Sequence, residues 1–235
     1  MANSQTLSLQ LSDGRELPVH WRHHGRSQRL TARLDPRGQG LRVTTPPYVP
    51  LGEVQRFVEE NRDWVEAQLA HKGEHVAIKP GMELPIEGIP RIITPTGRLR
   101  GLPELTDTHL HVPGEPDRLA GRVTRFCRSM AKERIVPLAE AKAARSNCKV
   151  QRITVRDTTS RWGSCTHDGC LSFSWRLILA PPSVLDYVVA HEVAHLTHMD
   201  HSEAFWALNA QLANGTMAEA KSWLRRHGRT LFLYG

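Results

Sequence analysis

Cysteine is scarce in this sequence, and long apolar runs and blocks of like charge are absent. Four cysteines among 235 residues are too few to build a disulfide scaffold. No window approaches the ~18 uninterrupted apolar residues of a membrane-spanning helix, and the N-terminus has no basic start followed by an apolar stretch. We therefore expect a cytoplasmic protein without membrane contact, whose cysteines stay reduced and mostly act as small buried apolar residues.

The net charge of +7 favours an anionic partner, such as nucleic acid, a nucleotide or an acidic peptide. The sequence lacks consecutive basic blocks and the aromatic-interleaved basic motif of an RNA-binding sheet. The basic residues that share one face of a predicted helix at 118–134 are Arg118, Arg122, Arg125, Arg128, Lys132 and Arg134. This face is the best candidate for contact with nucleic acid, although an ordinary solvated helix face has the same composition.

The spacing of apolar residues and of Gly and Pro predicts an α+β protein with two units. The N-terminal unit, residues 1–115, should contain a hairpin of Leu30–Leu34 and Leu41–Thr45 about a turn at 35–40, a helix at about 51–71 and short β pieces at 72–115. The C-terminal unit, residues 116–235, should begin with a helix that Pro137 kinks. Further helices are expected at roughly 202–213 and 217–227.

The middle of the C-terminal unit is predicted to form strands followed by a helix. Val150–Val155 predicts one strand, and Asp168-Gly169 predicts a hairpin turn. Strict alternation of apolar and polar residues predicts a second strand over Leu171–Leu179. After Pro181-Pro182, Ser183 is the expected N-cap of a helix that runs to about Leu196.

That helix contains His191, Glu192 and His195, which form the HExxH pattern. Two residues four positions apart on a helix project from one face about one turn apart, so both imidazoles reach the same metal ion. Glu192 then lies beside the metal, where it can act on a coordinated water. The opposite side of the helix is predicted to pack against the core through Leu185, Val189, Val193 and Leu196.

A second zinc site is conceivable at Cys148, Cys165, His167 and Cys170. Structural zinc sites, however, use paired C-x-x-C knuckles, which this spacing lacks. We therefore expect one metal site only.

Several ordered motifs resemble the YgjP-like family of metallopeptidases, which are relatives of the SprT-like zincins. The main motifs are Arg161-Trp162-Gly163-Ser164-Cys165, Ser174-Trp175-Arg176, Tyr187 to Leu196, His201-Ser202 and Phe205-Trp206, with Arg26-Ser27, Arg29-Leu30 and Asp63-Trp64 nearer the N-terminus. The resemblance extends over residues 20–228, approximately, and implies a zincin-like fold of the minigluzincin type around the metal helix.

The resemblance implies that His201 is the third metal ligand and that the metal is Zn²⁺. Glu203 and His198 are the alternatives, because some zincins use a glutamate from the following helix and His198 lies at the same helix end. Three protein ligands leave the fourth position of zinc for water, whose pKa the metal lowers towards about 7. The implied protein is a zinc-dependent hydrolase of the metallopeptidase type, with Glu192 as the general base.

The strand Leu171–Leu179 resembles the edge strand that zincin peptidases place beside the metal helix, where an extended peptide pairs as a further strand. Trp175 on this strand, together with Arg161 and Arg176, is a candidate for substrate contact. The two arginines would stabilise a developing oxyanion or hold an anionic substrate group.

Two other functions stay open. The same metal site would cleave a phosphoanhydride such as that of UTP, a pyrophosphatase activity that some family members are described as having. The sequence has neither a Gly-rich phosphate loop nor an acidic cluster suited to magnesium. Alternatively, the zinc fold serves as a DNA- or protein-binding module with weak or no turnover, and the basic face at 118–134 makes the contact.

Overall fold

The computed structural model describes residues 4–35, 39–70, 76–158 and 160–235, which form two compact units, Met1–His75 and Val76–Gly235. The first unit contains β1 (Ser4–Gln10), β2 (Glu16–His23), β3 (Thr31–Leu34), β4 (Leu41–Thr45), α1 (Leu51–Glu60) and α2 (Arg62–Ala70). The strands of the second unit are β5 (Glu83–Ile86), β6 (Ile89–Pro95), β7 (Glu104–Leu105), β8 (His109–Val112), β9 (Arg152–Arg156), β10 (Gly163–Cys165) and β11 (Cys170–Ser174). Its α-helices are α3 (Leu119–Arg145), α4 (Pro182–Ala194), α5 (Glu203–Leu212) and α6 (Met217–Leu231). The α+β class is thus confirmed.

The first unit is a four-stranded sheet, in the order β1-β2-β4-β3, with two short helices. The predicted hairpin is present as the antiparallel pair β3 and β4, whereas residues 36–38 of its predicted turn lie outside the described part. The single helix predicted at about 51–71 is instead two helices, and residue 71 is not among the described residues. The break occurs at Asn61, whose backbone and side-chain N–H groups both donate to Phe57 O.

The second unit begins earlier than the sequence suggested. We expected a boundary at 115/116, but the compact units divide between His75 and Val76. The sheet of β5 to β8 has Leu84, Ile93 and Leu110 in the same hydrophobic cluster as the buried stripe of α3. These apolar side chains can leave water only by packing on the helix that follows them, so β5 to β8 belong with the C-terminal elements.

The long helix α3 runs through Pro137 as one element. Buried residues recur at every fourth position, which places them along one side of the helix: Leu119, Val123, Cys127, Ala131, Ile135, Ala139 and Ala143. This stripe packs against α4 and against a 3₁₀ helix at Trp175–Leu179. The basic residues from Arg118 to Arg134 lie on the other sides.

The strand predicted over Leu171–Leu179 is wrong in its second half. Only Cys170–Ser174 is extended, and the next five residues form the 3₁₀ helix, which Ser174 begins by accepting a bond from the backbone N–H of Arg176. All five residues of that helix are buried. Alternation of apolar and polar residues distinguishes a strand from a helix only where one side of the segment faces water, and this segment is buried on all sides.

The metal-motif helix α4 also differs from its prediction. It begins at Pro182 with Pro181 as N-cap, so Ser183 does not cap it, and the proline at the first helical position has no N–H that needs a partner. Ten of its thirteen residues are buried, which means that it lies inside the core on nearly all sides. Among the described residues, no helix has both the length and the apolar character needed to cross a bilayer.

Candidate metal centre

Three histidine side chains converge where α4 ends and α5 begins. One ring nitrogen each from His191, His195 and His201 lies within 4.8 Å of the other two. The Nε2 atoms of His191 and His201 are 3.3 Å apart. His191 lies in the last turn of α4, His195 is its C-cap, and His201 follows in the connecting loop. The helix spacing thus brings two rings together, and the loop brings the third.

A backbone contact sets the orientation of His195. After Ala194 the chain turns tightly, and the carbonyl of His198 lies 2.9 Å from Nδ1 of His195. A carbonyl oxygen only accepts hydrogen bonds, so Nδ1 carries the proton. The neutral ring therefore presents the lone pair of Nε2, which is the form that binds a metal ion.

The loop that carries His201 is held by its own hydrogen bonds. Asp200 accepts from the backbone N–H of Ser202 at 3.4 Å, and Ser202 caps α5 by accepting from the N–H of Phe205. The ring of His201 stacks on Trp206, with ring centroids 5.6 Å apart and planes 28° apart. The exposed His201 thus has a defined ring orientation, although it belongs to a loop.

Phe205 forms an apolar floor under the cluster. Its side chain is fully buried, and its ring centroid lies between 4.5 and 4.9 Å from those of His191, His195 and His201. An aromatic floor leaves the nitrogen atoms to converge on the open side and keeps water from beneath them.

The electrostatics of the cluster favour neutral imidazoles. Burial, with smaller contributions from His195 and His201, lowers the pKa of His191 to about 4. Burial also lowers the pKa of His195. A metal ion needs the unprotonated ring nitrogen, so both side chains are in the required form at neutral pH. Three imidazoles with one open side fit a catalytic zinc ion.

Glu192 lies beside the cluster, packed against the backbone of β10. Its side chain is buried, and a Cβ atom added at Gly163 would lie 2.5 Å from Glu192 Cγ and 2.6 Å from its Oε1. Burial raises the pKa of Glu192 to about 7, and the charge of Arg161 partly opposes this effect. A carboxyl group with such a pKa can accept and release a proton near neutral pH.

The alternative ligands do not join this group. The backbone carbonyl of His198 accepts from Nδ1 of His195, and the ring of His198 is not part of the cluster. Glu203, at the start of α5, has no oxygen in the cluster. Over the described residues the three histidines are the only such cluster, so Cys148, Cys165 and Cys170 do not assemble a second site. Only Cys127 is buried, whereas we expected most cysteines to be so.

The residues predicted to contact substrate occupy different environments. Arg161 is exposed and close enough to Glu192 to influence its pKa. Trp175 and Arg176 are 0% exposed. The guanidinium of Arg176 donates to Asp157 and to the carbonyl of Tyr234, and Trp175 Nε1 also donates to Asp157. Trp175 and Arg176 are thus buried and hydrogen-bonded within the protein, which differs from the expected contact with substrate.

The strand expected at the sheet edge is the central one. The small sheet has the order β10-β11-β9, so β11 pairs with a neighbour on both sides. The edge beside α4 is β10, which pairs with β11 alone within the part of the chain that the structure describes. Gly163, Ser164 and Cys165 therefore supply the free backbone edge that the sequence assigned to residues 171–179.

The basic face of α3 is partly engaged within the protein. Arg134 pairs with Glu87 at 2.9 Å, Arg118 approaches Glu115 at 3.7 Å, and Arg122 donates to Gly101 O. Contact of this face with nucleic acid stays a prediction.

The sequence analysis assigned no role at the site to two residues, Gly163 and Asn209. Gly163 leaves the space that the Glu192 side chain fills. Asn209 is fully buried on α5, and its amide nitrogen lies 3.5 Å from Nδ1 of His191. The sequence contains one signal for Asn209: by helical spacing it lies on the same face as the apolar Phe205 and Leu212, where an apolar residue is expected.

Comparison with known proteins identifies a family. A family model described as the YgjP-like metallopeptidase domain matches residues 29–227. Searches of curated proteins and of solved structures found no match to the chain.

Proposed function

Because the chain belongs to the family of YgjP-like metallopeptidase domains, which implies a metal-dependent hydrolase, we propose that it is a zinc-dependent peptidase. The ligands are His191, His195 and His201, and Glu192 is the general base. The observation that carries the proposal is the convergence of three imidazole nitrogens within 4.8 Å, next to a buried carboxylate. This is the donor set of an open catalytic zinc site.

A zinc ion held by the three histidines would supply Lewis acidity and would lower the pKa of a coordinated water. The protein contributes the orientation of the rings and the handling of the proton. Glu192 accepts the proton from water and passes it to the leaving nitrogen of the peptide bond. The close packing of Gly163 against Glu192 keeps the carboxylate in one place during both transfers.

The substrate is an extended polypeptide that pairs with the free edge of β10. This edge lies next to α4, so a peptide strand along it would run past the histidine cluster. Backbone hydrogen bonds to an edge strand bind a peptide without regard to its side chains. Arg161 is exposed and near Glu192, and in this proposal it stabilises the negative charge that develops on the attacked carbonyl oxygen.

The test measures zinc content and hydrolysis of a mixed-sequence peptide library by mass spectrometry. We expect one zinc ion per chain in the wild type and in Glu192→Gln, which has nearly the same shape. Hydrolysis should fall at least about 100-fold in Glu192→Gln, because the general base is lost. The matched control is Glu203→Gln, an exposed carboxylate outside the cluster, which should keep both zinc and activity.

A wild type that retains no zinc after dialysis against a zinc buffer would refute the metal assignment. Equal hydrolysis by the wild type and Glu192→Gln would refute the role of Glu192. Release of pyrophosphate from UTP that depends on Glu192, without any peptide cleavage, would replace the peptidase by a nucleotide hydrolase at the same site.

A further inference from the structure

Asn209 is a polar side chain in an apolar position. It is 0% exposed, and the other buried residues of α5, Phe205 and Leu212, are apolar. Its Oδ1 atom is buried and has no hydrogen-bond partner within the described residues. A buried amide with an unpaired oxygen costs free energy that a leucine at this position would not. The side chain therefore calls for a role other than packing.

The amide of Asn209 faces the ring of His191 on the side away from the cluster. Nε2 of His191 is directed to the cluster, since it lies 3.3 Å from Nε2 of His201. Nδ1 of the same ring lies 3.5 Å from the amide of Asn209. A neutral imidazole has one N–H, so coordination through Nε2 requires the proton on Nδ1. That N–H needs an acceptor, and Asn209 is the side chain placed to supply one.

A half-turn of the amide exchanges its nitrogen and oxygen without changing its shape. It would bring Oδ1 to the position facing Nδ1 of His191. No hydrogen bond holds Oδ1 where it now lies, so the turn breaks none made by that oxygen. The result is an Nδ1–H that donates to Oδ1, the arrangement that metal-binding histidines usually have.

We propose that Asn209 is a positioning residue, whose amide oxygen accepts the Nδ1–H of His191 and holds that ring with Nε2 towards the metal. The inference rests on the zinc site proposed above. His195 has the same arrangement in this structure, because its Nδ1–H donates to His198 O at 2.9 Å. Two of the three ligands are then fixed by an acceptor behind the ring, one on the backbone and one on α5.

The first test needs no substitution and no metal. Nitrogen-15 NMR of the metal-free wild type distinguishes the two neutral forms of His191, because protonated and unprotonated ring nitrogens have well-separated shifts. We expect the form with the proton on Nδ1. The opposite form, with the proton on Nε2, would overturn the proposal, since Asn209 would then be donating to the ring.

The second test is zinc affinity, measured by competition with a chromophoric chelator. Asn209→Leu keeps the branched shape of the side chain but removes the acceptor, and we expect zinc to bind about 10–100-fold more weakly. Asn209→Asp supplies a carboxylate acceptor and should bind zinc at least as tightly as the wild type. The control is Leu212→Ala, which loosens the packing of the same helix and should leave the zinc affinity unchanged.

Equal zinc affinity in the wild type and Asn209→Leu would overturn the proposal, and so would an equal loss in Asn209→Asp and Asn209→Leu. If Asn209→Leu does not fold, the NMR result and the zinc affinity of Asn209→Asp decide whether the proposal holds. A wild type that binds no zinc refutes the proposed function itself. In that case the NMR experiment still reports whether Asn209 sets the protonated nitrogen of His191.

Discussion

Replacement of Lys142 by methionine should destabilise the second unit far more than an ordinary surface substitution. Lys142 is buried on α3, and its Nζ lies 2.8 Å from Asp186 Oδ1 on α4, with the two side chains 1% and 13% exposed. Nζ also donates to the carbonyl of Leu212 at the end of α5. The ammonium group therefore joins α3 to α4 and α5, the two helices on either side of the histidine cluster.

The magnitude follows from the separation and the burial. Two unit charges 2.8 Å apart attract by about 6 kcal/mol at an effective dielectric constant of about 20. Most of this attraction offsets the cost of removing both charges from water, whereas loss of one partner alone costs about 3–5 kcal/mol. Asn214 still donates two hydrogen bonds of 2.8 Å to Asp186. We therefore expect Lys142→Met to decrease the free energy of unfolding by about 3 kcal/mol, the lower end of that range.

The assay is urea unfolding, combined with hydrogen exchange of the buried amides of α4, which reports on the second unit. Lys149→Met makes the same chemical change at an exposed lysine and should alter stability by less than about 0.5 kcal/mol. The double variant Lys142→Met with Asp186→Asn removes both charges, and a coupling free energy of about 2 kcal/mol is expected from the cycle. The reasoning is refuted if Lys142→Met costs no more than Lys149→Met.

Three further outcomes are expected. Gly163→Ala should reduce peptide hydrolysis by about 100-fold without a change in zinc affinity, because the new Cβ would lie 2.5 Å from Glu192 Cγ and must displace the carboxylate; full activity would contradict this packing. In the metal-free protein the pKa of Glu192 is about 7, against 4.5 for the free side chain. Between pH 4.5 and 7 the folded state therefore keeps a proton on Glu192 that the unfolded state has released. The stability of the wild type relative to Glu192→Gln should therefore fall as the pH rises from 4.5 to 7, by about 3 kcal/mol, and a flat difference in urea unfolding would exclude the shift. Burial raises the pKa of the Cys127 thiol to about 12, so iodoacetamide should alkylate half-buried Cys148 in the native protein and Cys127 only after unfolding, as peptide mass spectrometry can follow; equal rates would show that Cys127 is accessible.

The pattern of His191, Glu192 and His195 could be interpreted from the sequence because helix geometry is local. Residues four apart on a helix share a face whatever the rest of the chain does, so two rings of the cluster follow from the spacing alone. His201 required the family resemblance, since a loop residue has no periodicity. The structure places its nitrogen with the other two.

The site beyond these residues depends on pairings that are distant along the chain. Alternation of apolar and polar residues predicted a strand over 171–179, but it could not show that β11 lies between β9 and β10 or that β10 is the edge beside α4. Strand order is decided by which faces bury apolar area together, and that is a property of the whole sheet.

The sequence by itself determined the metal-motif helix, the hydrolytic chemistry that its residues favour and the α+β class, because each depends on residue type and short-range spacing. Only the tertiary structure decided that β10 is the sheet edge beside α4, that Arg176 is buried and that Asn209 lies behind His191. These facts arise from packing between elements far apart in the chain, where burial and hydrogen-bond partners have no local signature.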